Sequence, residues 1–422
     1  MATVHLLVLI HGMWGNPSHL RRVHEIIQEV KGNGSEGIEF AVLLAQTTRD
    51  EGTYDGIDWG GERVAKEIID EVDKYESQGK RVTRLSITGY SLGGLIGRYV
   101  IGILHQQKFF DKVTPVNFNT IATPHIGVPA LPTALSTVSS YLGRKWMSRT
   151  GEQLFCADKW SPKGRPLTEV LADPDYIFYQ ALLLFPNIRI YANAINDLSV
   201  PYVTGAIETT DPFHDYRVNG LKIEYLEDYK YVIKSYNQPD SIKSSARRAL
   251  LRIANSLPPV IPALRLTFPY SIVAFPFLPV LLPTVVSVVL VRFTISAKRS
   301  RARLQMLEAN ALAEERLAHV VAKLERELEA PVLDEYDDPR SPVSANPLSD
   351  GSESASLSRP KLTTSQLRSI ESLNEIPQLK KTLACFDDVF NSHPVIICRC
   401  SKYEHHWQGE SVLRHWADQF EL

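Results

Sequence analysis

The sequence predicts an α/β fold built on a mostly parallel central sheet. Within residues 1–220, short β-branched runs alternate with segments of helical periodicity. Strands separated by helices favour parallel pairing, with helices covering both faces of the sheet. A hydrophobic content of 44% is sufficient for a substantial core. The predicted strands span residues 4–10, 40–45, 85–88, 116–121 and 188–193.

Helical patterns lie between these strands. Residues 62–75 place four apolar side chains on one helix face, namely Val64, Ile68, Ile69 and Val72. Residues 129–180 are less regular and carry several aromatic side chains, so we expect them to form a cap over one end of the sheet.

The pattern changes after residue 220. An uncharged, proline-rich stretch covers residues 266–291, and a charged helical pattern follows it. Residues 330–364 are rich in Pro, Ser and Asp without an apolar period, which is typical of disorder. The predicted organisation is a core with its cap at 1–220, a connecting segment at 221–258, an apolar segment at 259–297, a charged helix at 298–329, a disordered linker at 330–364, and a C-terminal part of the core at 365–422.

Composition narrows the class of protein. A net charge of −2 gives no general reason to expect a nucleic-acid partner. The amino-terminal residues lack the basic region and cleavage site of a secretory signal, so we expect the catalytic part on the cytosolic side. The Cys398-x-Cys400 spacing differs from common zinc and redox motifs, and the four cysteines suggest free thiols in a reducing compartment.

The segment ITGYSLGGLIGRY contains the pattern Gly89-x-Ser91-x-Gly93 between a predicted strand and a predicted helix at 95–104. This arrangement fits a nucleophile elbow, in which a strained turn raises the serine hydroxyl above the sheet. The positions two before and two after the serine must be small, because side chains there would collide within the turn. The context therefore predicts that Ser91 is a catalytic nucleophile.

A serine nucleophile of this kind requires hydrogen-bond donors for the oxyanion that forms during acyl transfer. The backbone amide of Leu92, directly after the serine, is one predicted donor. The loop after the first strand, within VLIHGMWGNP, supplies the second, which we expect to be the amide of Met13, with Gly12 as the alternative. His11 is expected to shape this loop, although its type also permits a role as base.

The predicted acid of the triad is Asp197. In elbow-containing folds the acid follows the serine in the chain and lies after a later strand. Asp197 lies in the loop after the strand at 188–193, where a carboxylate can orient an imidazole from a rigid edge. Asp211 and Asp215 come later and are less well placed.

Chain order leaves six histidines as candidates for the base. His319 and His415 lie in predicted helices and are expected to be structural, and His214 comes before any further strand. His393 follows a turn and precedes a β-branched run, so it is the preferred base. The pair His405 and His406, in a polar loop, remains an alternative.

Taken together, the motifs resemble the fungal branch of the putative serine esterase family of α/β-hydrolases, and look most similar to its lipid droplet phospholipases. The resemblance rests on VLIHGMWGNPSHL, YDGIDWGGERVAKEI, ITGYSLGGLIGRY, FNTIATPHIGV, YANAINDLSVPYVTGAIETTDPF, HPVIICR and VLRHW, in the expected order over residues 5–213 and 393–416. It implies that Ser91 is the nucleophile, Asp197 the acid and His393 the base.

The resemblance also bears on neighbouring residues. Thr123 and His125 are expected to line the site without acting in the chemistry. Tyr90 departs from the pattern, because such elbows usually carry histidine there. That position packs beside the turn, so we expect the change to affect fit more than mechanism.

The apolar stretch at 266–291 is long enough to span a bilayer, but four prolines interrupt it. Basic residues flank both ends, and the base must return to the domain that carries Ser91. We therefore expect a proline-bent hairpin or an interfacial segment on a lipid droplet or on the cytosolic face of the endoplasmic reticulum. A buried core segment is the alternative.

These inferences predict an α/β-hydrolase with a cap and an apolar membrane-associating insertion. The expected activity is hydrolysis of acyl esters of glycerophospholipids at a membrane or droplet surface, without a cofactor or metal. A neutral acylglycerol lipase and a non-catalytic membrane tether that has kept the fold are the alternatives.

Overall fold

A computed structural model describes residues 2–35, 37–130, 142–214, 216–237, 278–311 and 361–422. Within these ranges the central sheet contains six strands, and every neighbouring pair in it runs parallel. The predicted α/β fold with a parallel sheet is therefore confirmed. In chain order the strands are β1 (Ala2–Ile10), β2 (Ile38–Leu44), β3 (Lys80–Tyr90), β4 (Thr114–Ile121), β5 (Asn187–Asn193), the hairpin strands β6 (Lys222–Tyr225) and β7 (Ile233–Asn237), and β8 (Leu379–Ala384).

Strand order in the sheet is β2-β1-β3-β4-β5-β8, with β6 and β7 forming a separate antiparallel pair. The helices are α1 (Arg21–Lys31), α2 (Ile57–Ser77), α3 (Leu92–Gln106), α4 (Ser148–Leu154), α5 (Leu167–Val170), α6 (Ile177–Leu183), α7 (Tyr202–Gly205), α8 (Tyr216–Asn219), α9 (Leu278–Ala311), α10 (Thr364–Asn374) and α11 (Glu410–Asp418). Short 3₁₀ turns span Pro17–Leu20, Asp50–Tyr54, Phe109–Asp111 and Glu404–Gly409.

Alternating side chains of β1 enter two separate cores on the two faces of the sheet. Leu6 and Val8 pack with α2 and α3, whereas Leu7 and Leu9 pack with α1 and α11. Burial on both faces explains why this strand is an almost continuous apolar run rather than an alternating one. Because all strands of the sheet are parallel, their carboxyl ends meet at one edge, where the loops after β1, β3, β5 and β8 come together.

The strand β8 was not predicted, although the chain around it was expected to belong to the core. It pairs with β5 at the edge of the sheet and reads LKKTLA, with lysines at two consecutive positions. An edge strand is solvated along one side, so it lacks the apolar run that marks a central strand. The hairpin of β6 and β7 was likewise absent from the prediction for residues 221–258.

The helix α9 joins parts of two predicted segments, the apolar one and the charged one. It is continuous from Leu278 to Ala311 and contains Pro283 in its first two turns. Of the apolar stretch predicted to bend as a hairpin, residues 266–277 lie outside the described residues. Among the described helices, none combines the length and the hydropathy that a bilayer crossing requires.

Four other predicted segments are only partly described. Residues 131–141 of the cap, 238–258 of the connecting segment, 312–329 of the charged helix and 330–360 of the linker lie outside the described ranges. The end of the predicted linker is ordered, contrary to expectation. The Lys361 amide donates to the Ala130 carbonyl oxygen at 2.9 Å, and Thr363 caps α10 through its side chain in a capping box with Gln366.

Candidate active site

Ser91 lies on a strained turn between β3 and α3. Its φ of 55° and ψ of −124° are unusual for a residue with a side chain. The turn is held by the Ser91 amide, which donates to the Ile121 carbonyl oxygen at 2.9 Å. A Cβ at Gly89 would collide with the backbone of Gly93, and one at Gly93 would collide with the Ile10 carbonyl. The predicted need for small residues on both sides of the serine thus has a direct steric cause.

The hydroxyl of Ser91 meets the imidazole of His393, which comes from a loop about 300 residues later. His393 Nε2 lies 3.0 Å from Ser91 Oγ, and His393 Nδ1 lies 2.9 Å from Asp197 Oδ2. All three side chains are buried. The structure therefore brings together the serine, the histidine and the carboxylate that the sequence singled out, with the hydrogen-bond geometry of a serine hydrolase triad.

Loop-to-loop hydrogen bonds hold the imidazole in this position. The Ser392 amide donates to the Asn196 carbonyl oxygen at 2.9 Å, and the Ser392 hydroxyl donates to the Ile195 carbonyl oxygen at 2.8 Å. Asn391 Oδ1 accepts the amide of His393 at 3.1 Å. The histidine loop after β8 is thus fixed to the acid loop after β5.

Asp197 is an acceptor of several hydrogen bonds. Its Oδ2 also accepts from Asn193 Nδ2 at 2.7 Å, and its Oδ1 accepts the amides of Ser199 at 2.9 Å and Val200 at 2.8 Å. Burial raises the pKa of the Asp197 carboxyl, but the charge of His393 and these hydrogen bonds outweigh it, so the pKa lies below its ordinary value. The carboxylate therefore stays ionised and can orient His393 with Nδ1 protonated.

The loop after β1 lies against the serine. A Cβ at Gly12 would be 2.7 Å from Ser91 Cβ, so only glycine lets this loop approach the nucleophile. The amide of Leu92 is at the N-terminus of α3, where the first amides of a helix lack partners within the helix. Among the described residues, neither the Met13 amide nor the Leu92 amide donates to a protein acceptor. Both predicted oxyanion donors, the Met13 amide in the loop after β1 and the Leu92 amide at the N-terminus of α3, thus lack a protein acceptor among the described residues.

Tyr90 has a closer connection to the triad than the sequence suggested. Its hydroxyl donates to the His393 carbonyl oxygen at 3.0 Å, and its ring centroid lies 5.0 Å from that of His393. Tyr90 therefore fixes the backbone of His393, the residue whose imidazole contacts Ser91. The only signal in the sequence was the departure from histidine at this elbow position.

We expect Tyr90→Phe to lower kcat for a water-soluble ester about 3- to 10-fold with little change in KM. Removing the hydroxyl leaves the ring in place but frees the His393 backbone from a hydrogen bond worth about 1 kcal/mol. Steady-state kinetics measure both parameters. Tyr191→Phe is the matched control, because the Tyr191 hydroxyl also contacts a histidine, His415, away from the triad. Equal loss in both variants would contradict a positioning role for Tyr90.

Thr123 and His125 lie behind the elbow rather than in contact with the triad side chains. The Thr123 hydroxyl donates to the Ser91 carbonyl oxygen at 2.9 Å. His125 is buried with Nε2 3.0 Å from Thr120 Oγ1, and burial lowers its pKa well below the ordinary value. Thr123 therefore supports the shape of the turn, and His125 is a neutral core residue.

The alternative candidates have other partners. His11 Nδ1 lies 3.0 Å from the Gly12 carbonyl oxygen, and His406 Nδ1 accepts the amide of Cys400 at 3.1 Å. Asp211 accepts the amide of Phe213 in its own turn, whereas Asp215 lies outside the described residues. His405 is exposed. Among the described residues, no group of three or more candidate ligands is placed to hold a metal ion, and the four cysteines are free thiols.

Comparison with known proteins gives one family. A family profile described as "Putative serine esterase (DUF676)" matches residues 1–211. "Putative lipase C4A8.10" of Schizosaccharomyces pombe is 31% identical over 215 residues, which cover 49% of this chain and 26% of the relative. "Putative lipase ROG1" of Saccharomyces cerevisiae is 32% identical over 205 residues, covering 48% of this chain and 28% of the relative. The match thus spans between a quarter and a third of each relative's length.

Solved structures that are similar in fold have low identity. A putative cell surface hydrolase from Lactobacillus plantarum is 16% identical with a TM-score of 0.29, covering 48% of this chain and 74% of that chain. Phospholipase PlaB from Legionella pneumophila is 14% identical with a TM-score of 0.29, covering 56% of this chain and 51% of that chain.

Proposed function

The chain belongs to the putative serine esterase family, and on that premise we propose that it hydrolyses fatty acyl esters of glycerophospholipids at a lipid surface. The observation that carries the proposal is the continuous set of hydrogen-bond distances from Asp197 through His393 to Ser91. The surface we propose is a lipid droplet or the cytosolic face of the endoplasmic reticulum membrane. The exposed apolar side chains in the first half of α9 support the lipid surface.

The proposed reaction proceeds in two halves. Ser91 Oγ attacks the ester carbonyl while His393 Nε2 takes its proton, and the amides of Leu92 and Met13 stabilise the oxyanion. The protonated imidazole then gives its proton to the leaving alcohol, which departs as a lysophospholipid. Water, deprotonated by His393, attacks the acyl-enzyme and releases the fatty acid, restoring the Ser91 hydroxyl. Asp197 keeps the imidazole in the correct tautomer throughout.

A fluorophosphonate probe tests this mechanism directly. Such a probe phosphonylates only a serine that is activated by a base and an oxyanion hole. We expect stoichiometric labelling of the full chain, with mass spectrometry locating the adduct on Ser91. A folded chain that does not react would support the alternative, a membrane tether without catalysis.

A basic cleft, lined in part by the chain that follows His393, supports a phospholipid substrate over a neutral acylglycerol. The cleft has a volume of about 460 Å³ and is lined by four cations, Arg21, Arg22, Arg399 and Lys402, but by only one carboxylate, Glu25. Arg21 and Arg22 are paired with glutamates, whereas Arg399 and Lys402 form no ion pair with a described residue. A site with surplus positive charge favours a phosphate over a neutral glyceride.

Arg399 connects this cleft to the triad through Tyr90. Burial raises the pKa of the Tyr90 phenol, and the nearby guanidinium of Arg399 opposes that shift. Since Tyr90 contacts His393, a phosphate bound at Arg399 would place the acyl ester of the same lipid near Ser91. Arg399 is therefore the proposed headgroup contact.

We expect Arg399→Gln to lower the hydrolysis of phosphatidylcholine about 5- to 10-fold relative to that of diacylglycerol in the same mixed micelles. Fatty-acid release from each lipid gives the ratio. Lys112→Gln is the matched control, because Lys112 is exposed before β4, at the opposite end of the sheet. A wild-type preference for diacylglycerol would instead favour the neutral lipase alternative.

A further inference from the structure

The first half of α9 is uncharged and exposes apolar side chains around most of its circumference. Residues 278–291 contain no charged side chain. Seven of their side chains are hydrophobic and 40–71% exposed, namely Val280, Leu281, Val285, Val286, Val288, Val289 and Val291. At 100° per residue these seven positions cover an arc of about 240° around the helix. A helix that docks on a protein has a narrower apolar face, whereas the polar groups of this run are only the hydroxyls of Thr284 and Ser287.

A lipid surface is the occupant that fits such a helix. A protein partner or a second copy of the chain would cover one side, but lipid covers all sides at once. Residues 278–291 measure about 21 Å along the helix axis, which is less than the ~30 Å core of a bilayer but sufficient for one leaflet or a monolayer. Arg292 follows the apolar run directly and is exposed, where lipid phosphates would lie.

The second half of the same helix is docked on the core. Its main partner is Asp55, which is fully buried. The Ser300 hydroxyl donates to Asp55 Oδ1 at 2.6 Å, and Arg303 Nη2 donates to the same oxygen at 2.9 Å. Arg303 Nη2 also donates to the Glu51 carbonyl oxygen at 2.9 Å, and Arg299 Nη1 lies 3.2 Å from Glu51 Oε1. The second half of α9 is therefore hydrogen-bonded to the 3₁₀ turn Asp50–Tyr54 and to Asp55, the residue that follows it.

The 3₁₀ turn Asp50–Tyr54 is hydrogen-bonded to the loop after β1, residues 11–16, which carries Met13 and is called the oxyanion loop here. The Asp50 amide donates to the Gly15 carbonyl oxygen at 2.8 Å. The Trp14 amide donates to Thr53 Oγ1 at 3.2 Å, and Trp14 Nε1 donates to Tyr54 OH at 2.8 Å. Trp14 comes directly after Met13, the proposed oxyanion donor, and has a φ of 53°.

A direct aromatic contact joins α9 to the oxyanion loop. The ring of Phe293 stacks on that of Trp14 with centroids 5.5 Å apart, and lies 6.4 Å from Trp146 beside α4. Phe293 comes two residues after the apolar run ends. Trp14 is half exposed, so the loop that carries Met13 faces solvent where the helix leaves the core.

We propose that α9 is a lipid-inserted brace: residues 278–291 enter a lipid surface, while Phe293, Ser300 and Arg303 fix the oxyanion loop beside that surface. The helix and the loop form one unit, so the site opens towards lipid at a fixed distance from it. Ser300 and Arg303 act as positioning residues, because they reach Met13 only through the 3₁₀ turn and Trp14. The effect of α9 on catalysis rests on the proposed function, whereas the lipid contact of residues 278–291 and the ordering of the oxyanion loop do not.

The lipid contact is tested with the double variant Val285→Glu, Val288→Glu of the full chain. We expect wild-type protein to float with phosphatidylcholine vesicles and the variant to lose at least about tenfold of the bound fraction, since charges must leave the lipid. Met306→Glu is the matched control, because Met306 is 67% exposed on the other half of the same helix. Flotation of the double variant at the wild-type level would overturn the lipid contact.

The brace is tested with Arg303→Gln, with Arg303→Lys as the conservative variant and Lys298→Gln as the control on the same helix. We expect Arg303→Gln to raise hydrogen–deuterium exchange of the amides at residues 11–16 about fivefold. It should also lower kcat for a soluble ester about tenfold with KM unchanged, because the oxyanion donors are less well ordered. Arg303→Lys should recover most of both effects, which a general loss of stability would not explain.

Unchanged loop exchange in Arg303→Gln would overturn the brace. The outcome is separate from that of the proposed function, since exchange and flotation are measured without substrate. Wild-type protein that lacks esterase activity but shows both structural effects would contradict the proposed function and leave the lipid-inserted brace supported.

Discussion

Ser91→Ala is expected to lower kcat for ester hydrolysis by at least about 10⁴-fold, because the alanine has no atom that can form the acyl-enzyme. The hydroxyl of Ser91 lies 3.0 Å from His393 Nε2, so the proton it must lose has an acceptor in place. What remains in the variant is binding and the oxyanion donors, which alone give little acceleration. Fatty-acid release from phosphatidylcholine vesicles measures the loss.

The variant should fold normally, since among the described residues the hydroxyl forms a single hydrogen bond, to His393. Its melting temperature and its vesicle binding are expected to match those of the wild type. Ser161→Ala is the matched control, because Ser161 is also buried, but in the region before α5 and without contact to the triad. Unchanged lipid hydrolysis by Ser91→Ala would contradict the nucleophile and with it the proposed mechanism.

The nucleophile and the acid could be predicted from the sequence because each lies next to a strand that is easy to recognise. β3 and β5 are internal strands with largely buried carboxyl halves, so the sequence predicts their carboxyl ends to within about two residues. Ser91 begins the turn after the first, and Asp197 follows the second by four residues. In a parallel sheet the carboxyl ends share an edge, so recognising both strands is enough to predict that these two loops lie together.

The histidine could not be fixed in the same way, because the strand before it is hidden in the sequence. β8 carries two lysines and lies at the sheet edge, so it has no apolar run by which it could be recognised. Without that strand, the sequence does not show that His393 lies in the loop after β8, whereas His405 and His406 lie in a later 3₁₀ turn. The contacts of Tyr90 with His393 and of Arg303 with Asp55 join residues 303 and 248 positions apart. Spacing alone carries no signal for such long-range contacts.

Asp197→Asn is expected to lower kcat at neutral pH by about 10³- to 10⁴-fold, although it changes the side chain by only one heavy atom. The carboxylate accepts from His393 Nδ1 at 2.9 Å, which leaves Nε2 unprotonated and facing Ser91. An asparagine amide can instead donate to Nδ1, so the proton would move to Nε2 and the imidazole could no longer take a proton from the serine. Asp211→Asn is the matched control, because Asp211 was the competing candidate for the acid.

Stability should also report on Asp197. Its native pKa lies below its ordinary value of about 3.9, so the ionised carboxylate stabilises the fold above that pH, and this contribution is lost as the pH falls through the native pKa. The Asn variant should lack this part of the acid-side dependence of the free energy of unfolding, measured by denaturation at several pH values. If Asp211→Asn rather than Asp197→Asn abolished activity, the acid would lie in the later turn, and the contacts of His393 with Asp197 would be structural.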